Sequence, residues 1–389
     1  MTVTAPRGFV AAGVAAGIKA SGAADLALVA STDGAVPAAG VFTANLAAAA
    51  PVQVSRAHLA ASGGRAAAVV LSSGNANAAT GAPGRAAAER MCELVGSGIG
   101  ARTEEVLVCQ TGLIGIPLPM GTVEQGIAPL VAARRGGPEA AARAAAAIMT
   151  TDTVRKEVVV EGPGFTVGAM AKGAAMLAPD MATMLAVLTT DAVAEPDALH
   201  AALRGAVAGS FNRLSVDGCT STNDTVLVLA SGASGTAADG GALLEALGDA
   251  CGQLAGMMAA DAEGATKVVH VVVQGARSDD EAHRAARRVA ESQLVQCSIN
   301  GEDPYWGRIV SELGSAGVAF DIDAVDVAYG GVVVCHRGVA ADHDAAAVAA
   351  HMQGRMVEVR CELGLGGGAG VVLTTDLGHG YIDENRTTS

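Results

Sequence analysis

Short apolar runs typical of β-strands alternate along this chain with longer segments that have helical periodicity. The strand-like runs are residues 26–30, 66–71, 105–109, 157–161, 165–170, 184–188, 225–229, 268–273, 332–335 and 356–360. The helix-like segments are residues 85–95, 123–134, 138–149, 196–207, 241–257 and 279–294. Gly162-Pro163-Gly164 separates two strand-like runs and predicts a hairpin. Alternation mixed with hairpins predicts an α+β (mixed α/β) fold rather than a purely parallel sheet.

Composition indicates a globular protein and argues against several classes of partner. Of the 389 residues, 51% are hydrophobic and 16% are charged, which suits one large domain or two smaller ones. The net charge of −14 argues against a nucleic-acid partner and against an anionic membrane surface. No segment has the roughly 20 strongly apolar residues that a membrane span requires.

The cysteines and histidines predict neither disulfides nor a metal site. The cysteines are odd in number and include no CxxC pair: Cys92, Cys109, Cys219, Cys251, Cys297, Cys335 and Cys361. Such thiols are typical of a reduced, cytoplasmic protein. The eight histidines are scattered and match no HExxH or other paired-ligand spacing, so we expect no metal.

Ala182-Thr183 stands near mid-chain, directly before the apolar run at 184–188. A threonine hydroxyl is a weak nucleophile unless a base removes its proton. Cleavage of the chain just before Thr183 would give this residue a free α-amine, which titrates near neutral pH and can be that base. The alternative from the pattern alone is an ordinary threonine at the start of a buried strand.

Further polar motifs lie at the ends of predicted strands and helices. Thr111-Gly112 follows a strand and can present a hydroxyl and a backbone N–H to an oxyanion, or it can be a tight turn. Thr150-Thr151-Asp152 closes a helix, and Lys172 and Glu263 could bind the charged ends of a substrate. From the pattern alone, capping residues and solvated surface charges are the commoner explanation of such residues.

Three glycine-rich or polar segments carry weaker signals. The segments 73–81 and 220–225 are either binding loops or plain connections. The run at 364–370 fits GxGxxA, but an apolar strand-like run follows it instead of a helix. A dinucleotide phosphate needs a helix N-terminus, so we interpret this run as a connection between strands.

Taken together and in order, these motifs resemble the ornithine acetyltransferase (glutamate N-acetyltransferase) family of self-processing threonine-nucleophile enzymes. The block around Ala182-Thr183 is the most specific part of the resemblance, which extends nearly from end to end. Supporting matches are Gly13 to Lys19, Gly40 to Asn45, Thr111-Gly112, Thr150 to Asp152, Lys172-Gly173, Ser221 to Thr225, Glu263-Gly264, Asp303-Pro304 and Tyr381 to Asn385.

The resemblance implies a layered αββα sandwich and cleavage between Ala182 and Thr183. The products would be an α chain of residues 1–182 and a β chain of residues 183–389. Thr183 would take the acetyl group from N-acetylornithine and pass it to glutamate by a ping-pong mechanism in arginine biosynthesis. The resemblance also implies a cytoplasmic heterotetramer of two α and two β chains without a cofactor, and leaves acetyl-CoA open as a second acetyl donor.

Site residues follow from the same resemblance, position by position. Thr111 and Gly112 match the oxyanion hole. The substrate-binding positions are Thr150, Lys172, Thr183, Glu263, Asn385 and Ser389. Our own division of roles assigns the substrate carboxylate to Lys172 and its α-ammonium to Glu263.

The chain departs from the family pattern at several positions. Ala175 stands where a glycine is usual, and its methyl group would hinder a turn that needs a positive φ. The remaining departures are Ser72, Ala79, Arg155, Tyr305 and a tail that is one residue short. They leave open a specialised paralogue with another acyl acceptor. Two more classes stay open: an N-terminal-nucleophile aminopeptidase or amidohydrolase, and an unprocessed, inactive binding protein.

Overall fold

The structure, a computed structural model, describes residues 2–176 and 184–386. The predicted cleavage residues Ala182 and Thr183 and the predicted substrate residue Ser389 therefore lie outside the described residues. The described chain divides into two compact units. The first unit is Met1–Asn212 with Cys219–Met258, and the second is Arg213–Gly218 with Ala259–Ser389.

The first unit alternates strands and helices along the chain. Its strands are β1 (Phe9–Val14), β2 (Leu26–Ser31), β3 (Val36–Phe42), β4 (Arg65–Ala66), β5 (Ala68–Asn75), β6 (Val106–Leu113), β7 (Lys156–Gly162), β8 (Phe165–Lys172), β9 (Leu185–Thr190) and β10 (Thr225–Ala230). Its helices are α1 (Ala50–Ala61), α2 (Gly81–Ile99), α3 (Met120–Ala132), α4 (Pro138–Ile148), α5 (Pro196–Gly209) and α6 (Gly240–Ala260), whose last residues begin the second unit.

These strands form mixed sheets rather than a purely parallel one. One sheet has the order β1-β2-β5-β6, in which β5 and β6 run parallel and the other neighbours antiparallel. A second sheet has the order β4-β3-β10-β9-β8-β7, in which β9 and β10 run parallel. The β7–β8 hairpin closes at Gly162 opposite Phe165, as the turn Gly162-Pro163-Gly164 predicts.

The two sheets of the first unit face each other across a shared apolar core that includes Val29, Leu71, Val187 and Leu227. Helices α2 and α3 cover the outer face of the first sheet, and α5 packs on β3 and β10 of the second. Helix α4 contributes alanines and Ile148 to the core between the sheets, where small side chains permit close packing. The predicted mixed α/β class and layered αββα sandwich are confirmed.

Strands from both sides of the predicted cleavage bond lie side by side in the second sheet. β8 precedes that bond and pairs antiparallel with β9, which follows it. β9 in turn pairs parallel with β10, so Thr225 stands opposite Leu185. The sheet therefore anchors the chain on each side of the segment that carries Thr183.

The second unit is built around its own sheet, with the order β14-β13-β12-β15-β11-β16. The strands are β11 (Val268–Ala276), β12 (Asp326–Tyr329), β13 (Val332–His336), β14 (Val339–Ala340), β15 (Met356–Glu362) and β16 (Gly368–Thr375). The helices are α7 (Asp279–Ala290), α8 (Gln293–Asn300), α9 (Trp306–Gly314), α10 (Ala345–Gln353) and α11 (His379–Asn385). Helix α7 packs on β11 and β16 through small side chains such as Ala282 and Ala286.

One local prediction differs from the structure, and a second is confirmed except for the start of the strand that follows it. The periodicity of 279–294 predicts one helix, but α7 ends at Ala290 and α8 starts anew after Ser292, whose hydroxyl caps it at Val295 N. The GxGxxA run connects β15 to β16 and opens no helix, as predicted, although β16 already begins at Gly368. Within residues 2–176 and 184–386, we find no helix with the length and hydropathy of a membrane span.

Candidate active site

Thr111 and Gly112 lie near the end of β6, in a segment that remains strand rather than a tight turn. The Thr111 side chain is buried, whereas Gly112 is exposed. Gly112 has a φ of +133°, and a Cβ atom there would overlap the Gly74 carbonyl carbon and lie 2.5 Å from the Asn75 nitrogen. A side chain is therefore excluded by both conformation and space, and the backbone of β6 approaches β5 closely at this point.

The loop that follows β5 is strained and runs beside this segment. Asn77 and Ala79 have positive φ angles of 47° and 56°, which are unfavourable for residues with a Cβ. The Asn77 side chain donates to Gln110 Oε1 at 2.8 Å and to the Gly84 carbonyl at 2.9 Å. Such strain persists where surrounding contacts enforce it, and it often accompanies a functional site.

Asn223 and Asp224 connect the Thr111 segment to the chain next to Thr183. Asn223 Nδ2 donates to the carbonyls of Ala76, at 2.7 Å, and Gln110, at 2.8 Å. The neighbouring Asp224 accepts the Met184 backbone N–H at 2.9 Å. Sequence reasoning missed this role, because the polar run at 220–225 before a strand looks the same in a plain loop.

Asp224 is a fully buried carboxyl group. Burial raises its pKa well above the usual range, and the Met184 hydrogen bond and the positive charge of Lys172 only partly oppose this rise. The carboxyl group that accepts the Met184 N–H is therefore disposed to hold its proton at a higher pH than an exposed aspartate does.

Lys172 and Thr150, both predicted to contact substrate, are brought together by Asp152. The Lys172 ammonium lies 3.7 Å from Asp152 Oδ2, the same oxygen that accepts the Thr150 backbone N–H at 3.0 Å. Lys172 is only 3% exposed, which is unusual for a lysine. Its location at the buried end of β8 argues against the solvated-surface alternative.

Lys19 contacts the start of the loop that carries Thr150 and Asp152. Lys19 donates from Nζ to the Met149 carbonyl at 2.7 Å and to the Ala24 carbonyl at 2.8 Å. Burial lowers the pKa of Lys19, and the nearby charges of Asp25 and Asp152 oppose this shift. The carbonyl just before Thr150 is therefore fixed by an ammonium group.

Ala175, which stands where the family usually has a glycine, does not occupy a backbone position with a positive φ. The residue with a positive φ in this turn is Met176, at 54°, rather than Ala175. The methyl group of Ala175 therefore causes no left-handed strain.

In the second unit, Glu263 and Asn385 are in direct contact. Asn385 Nδ2 donates to Glu263 Oε2 at 2.8 Å and to the Tyr381 carbonyl at 2.8 Å. Glu263 is 6% exposed, and a Cβ on the adjacent Gly264 would overlap the backbone of Tyr381. These contacts bring together two of the predicted substrate positions. The described ranges contain no group of three or more His, Cys, Asp or Glu side chains placed to hold a metal ion.

Buried polar and charged groups at strand ends, on a layered sandwich, are features of an enzyme active site. A family model described as the ArgJ family matches residues 10–387. The chain belongs to this family. The predicted membership of the ornithine acetyltransferase family is thereby confirmed, and the chain is an enzyme of arginine biosynthesis.

Two relatives match the whole length of the chain. The arginine biosynthesis bifunctional protein ArgJ of Mycolicibacterium paratuberculosis is 48% identical over 393 residues, which cover 100% of this chain and 96% of the relative. Its namesake from Thermobifida fusca is 47% identical, and the match covers 100% of both chains. The solved ornithine acetyltransferase of Mycobacterium tuberculosis, complexed with ornithine, is 50% identical over 46% of this chain and 94% of that chain, with a TM-score of 0.44.

Proposed function

We propose that this protein transfers the acetyl group of N-acetylornithine to glutamate through an ester on Thr183. The observation that carries the proposal is the pair Asn223-Asp224. One residue holds the Gln110 carbonyl beside Thr111, and the next holds the Met184 N–H beside Thr183. This arrangement supports a nucleophile and an oxyanion hole that are fixed by a common anchor.

Self-cleavage between Ala182 and Thr183 comes first in the proposed mechanism. It gives an α chain of residues 1–182 and a β chain of residues 183–389, and it frees the α-amine of Thr183. That amine then accepts the hydroxyl proton during acyl transfer. Membership in a family that matches nearly the whole chain supports this step.

In the first half-reaction, the Thr183 oxygen attacks the acetyl carbonyl carbon. The Thr111 hydroxyl and the Gly112 N–H donate to the oxyanion of the tetrahedral intermediate. The C–N bond breaks, and ornithine leaves with the proton that the threonine amine held. In the second half-reaction, the glutamate amine attacks the ester carbonyl, the C–O bond breaks and Thr183 regains its proton.

Recognition of the substrate is assigned to the residues that match the substrate-binding positions of the family. We propose that Lys172 binds the α-carboxylate and Glu263 the α-ammonium, with Thr150, Asn385 and Ser389 completing the contacts. Substitution of Lys172 by Met is then expected to raise KM for N-acetylornithine, and an unchanged KM would contradict the assignment. We further propose a cytoplasmic heterotetramer without a cofactor, in which acetyl-CoA is a candidate second donor.

Intact mass spectrometry combined with a denaturing gel tests the function. The wild-type protein should give two bands of roughly half of 38.2 kDa, and Thr183→Ala should give one uncut band. Incubation with N-acetylornithine should add one acetyl group to the β chain, which glutamate then removes as N-acetylglutamate. Release of free acetate at the same rate without glutamate would instead indicate an amidohydrolase.

A further inference from the structure

Asp152 is a buried carboxylate in contact with two lysines and two backbone N–H groups. Its Oδ1 accepts from Lys156 Nζ and from the Gly173 N–H, both at 2.7 Å. Its Oδ2 accepts the Thr150 N–H at 3.0 Å and lies 3.7 Å from Lys172 Nζ. The side chains of Asp152 and Lys156 are both 0% exposed.

Asp152 keeps its charge in this position because its partners outweigh its burial. Burial alone would raise its pKa, but the charges of Lys172 and Lys156 and the hydrogen bonds that Asp152 accepts lower the pKa to about 2. A permanent negative charge offsets the cost of burying the ammonium groups around it.

The contacts of Asp152 connect two segments that are distant in sequence. Thr150 belongs to the loop after α4, whereas Lys172 is the last residue of β8 and Gly173 follows it. Each segment carries one of the residues that we assign to substrate binding.

We propose that Asp152 is a positioning residue for recognition of the amino-acid carboxylate. It holds the Lys172 ammonium and the Thr150 backbone at a fixed separation and contacts no substrate itself. The inference rests on the proposed function, since that function assigns Lys172 to the carboxylate. An error of about 1 Å in such an alignment can cost on the order of a hundredfold in rate.

The test must separate positioning from simple loss of stability, because Asp152→Asn removes the negative charge that lies beside two buried ammonium groups. We therefore combine Asp152→Asn with Lys156→Met, which replaces the buried pair by neutral groups of similar size and should restore stability. Lys156→Met alone is the matched control, because it keeps the contact between Asp152 and Lys172.

Binding is measured by calorimetry with two ligands, ornithine and putrescine, which is ornithine without its carboxylate. We expect the double variant to bind ornithine on the order of ten- to a hundredfold more weakly than the wild type and putrescine within about threefold of it. The Lys156→Met control should retain the wild-type preference for ornithine, and both variants should retain a near-wild-type Tm.

Two results would overturn the proposal. One is a double variant that regains the wild-type preference for ornithine together with its stability, since Asp152 would then have only a structural role. The other is equal weakening of both ligands. The proposed function fails separately: a wild-type protein that binds ornithine with the expected preference but transfers no acetyl group refutes the reaction and leaves the positioning role supported.

Discussion

Substitution of Gly112 by Ala tests the proposed oxyanion hole most directly. The new Cβ would overlap the Gly74 carbonyl carbon and approach the Asn75 nitrogen to 2.5 Å. A residue with a Cβ at a positive φ costs roughly 1–3 kcal/mol, and displacement of packed neighbours costs roughly 1–3 kcal/mol more. We therefore expect the free energy of unfolding to fall by about 2–6 kcal/mol.

The activity should fall further than the stability explains. In the proposed mechanism a shifted Gly112 N–H would no longer point at the oxyanion, and loss of one such donor reduces the rate by about 10²–10³. Thermal unfolding gives the stability, and transfer of acetyl from N-acetylornithine to glutamate, measured per folded enzyme well below Tm, gives the rate.

A matched glycine provides the control for this experiment. Gly252 is exposed in α6, and a Cβ added there would meet no neighbouring atom within 4 Å, so Gly252→Ala should stabilise the protein by about 0.5–1 kcal/mol without loss of activity. If Gly112→Ala does not fold, Thr111→Val removes the predicted oxyanion hydroxyl while keeping the shape of the side chain. Wild-type stability and transfer rate in the Gly112 variant would refute the reasoning.

Three further outcomes follow from the contacts around the site. Asp224→Asn keeps an oxygen acceptor for the Met184 N–H, so the proposed cleavage before Thr183 should stay near the wild-type rate. Asp224→Ala removes the acceptor and should slow this cleavage about tenfold or more, which a time course on denaturing gels would show. The pKa of Asp152 is about 2 in the folded protein and 3.8 in the unfolded chain, so its ionised form adds about 2 kcal/mol to the free energy of unfolding. This stabilisation is present above pH 4 and is lost as the pH falls toward 2, which acid denaturation would measure. Ala79→Gly should stabilise the protein by roughly 0.5–1 kcal/mol in chemical denaturation, because it relieves a φ of +56°.

Each of these outcomes has a contrary result. Equal cleavage rates in the Asn and Ala variants would exclude a positioning role for Asp224. Asp152→Asn combined with Lys156→Met should reduce the acid-dependent loss of stability by about 2 kcal/mol, and the exposed Asp33→Asn should leave it unchanged; the reverse pattern would assign the loss to other carboxyl groups. Ala86→Gly, on the exposed side of α2, should destabilise by about 1 kcal/mol, so similar effects at positions 79 and 86 would contradict the strain argument.

The sequence predicts the elements with strong apolar periodicity and misses those whose identity depends on neighbours. Runs such as 225–229 and 268–273 lie in β10 and β11. The pattern does not predict the strand Phe9–Val14, because its alanine and glycine have weak strand propensity, and its pairing with the buried β2 decides its conformation. The pattern also does not predict strand β3, because its proline and two alanines have weak strand propensity.

The candidate site shows the same division between local and tertiary signals. Motifs that the resemblance covers, such as Thr111-Gly112 and Lys172, could be named from the sequence. The anchoring functions of Asp152 and Asp224 could not, because each depends on partners 20 to 40 residues away along the chain. For Ala175 the sequence identifies the departure, but only the backbone angles show that the left-handed residue is its neighbour Met176.

The pairing of β8 with β9 has a consequence for how the cleaved enzyme can be denatured and recovered. Before cleavage, both strands belong to one chain, and refolding is a first-order process. After the proposed cut they belong to separate polypeptides that share one sheet, so refolding requires a bimolecular encounter and the apparent stability depends on protein concentration. The uncut Thr183→Ala protein should therefore refold independently of dilution, while the processed enzyme recovers poorly from dilute denatured solution.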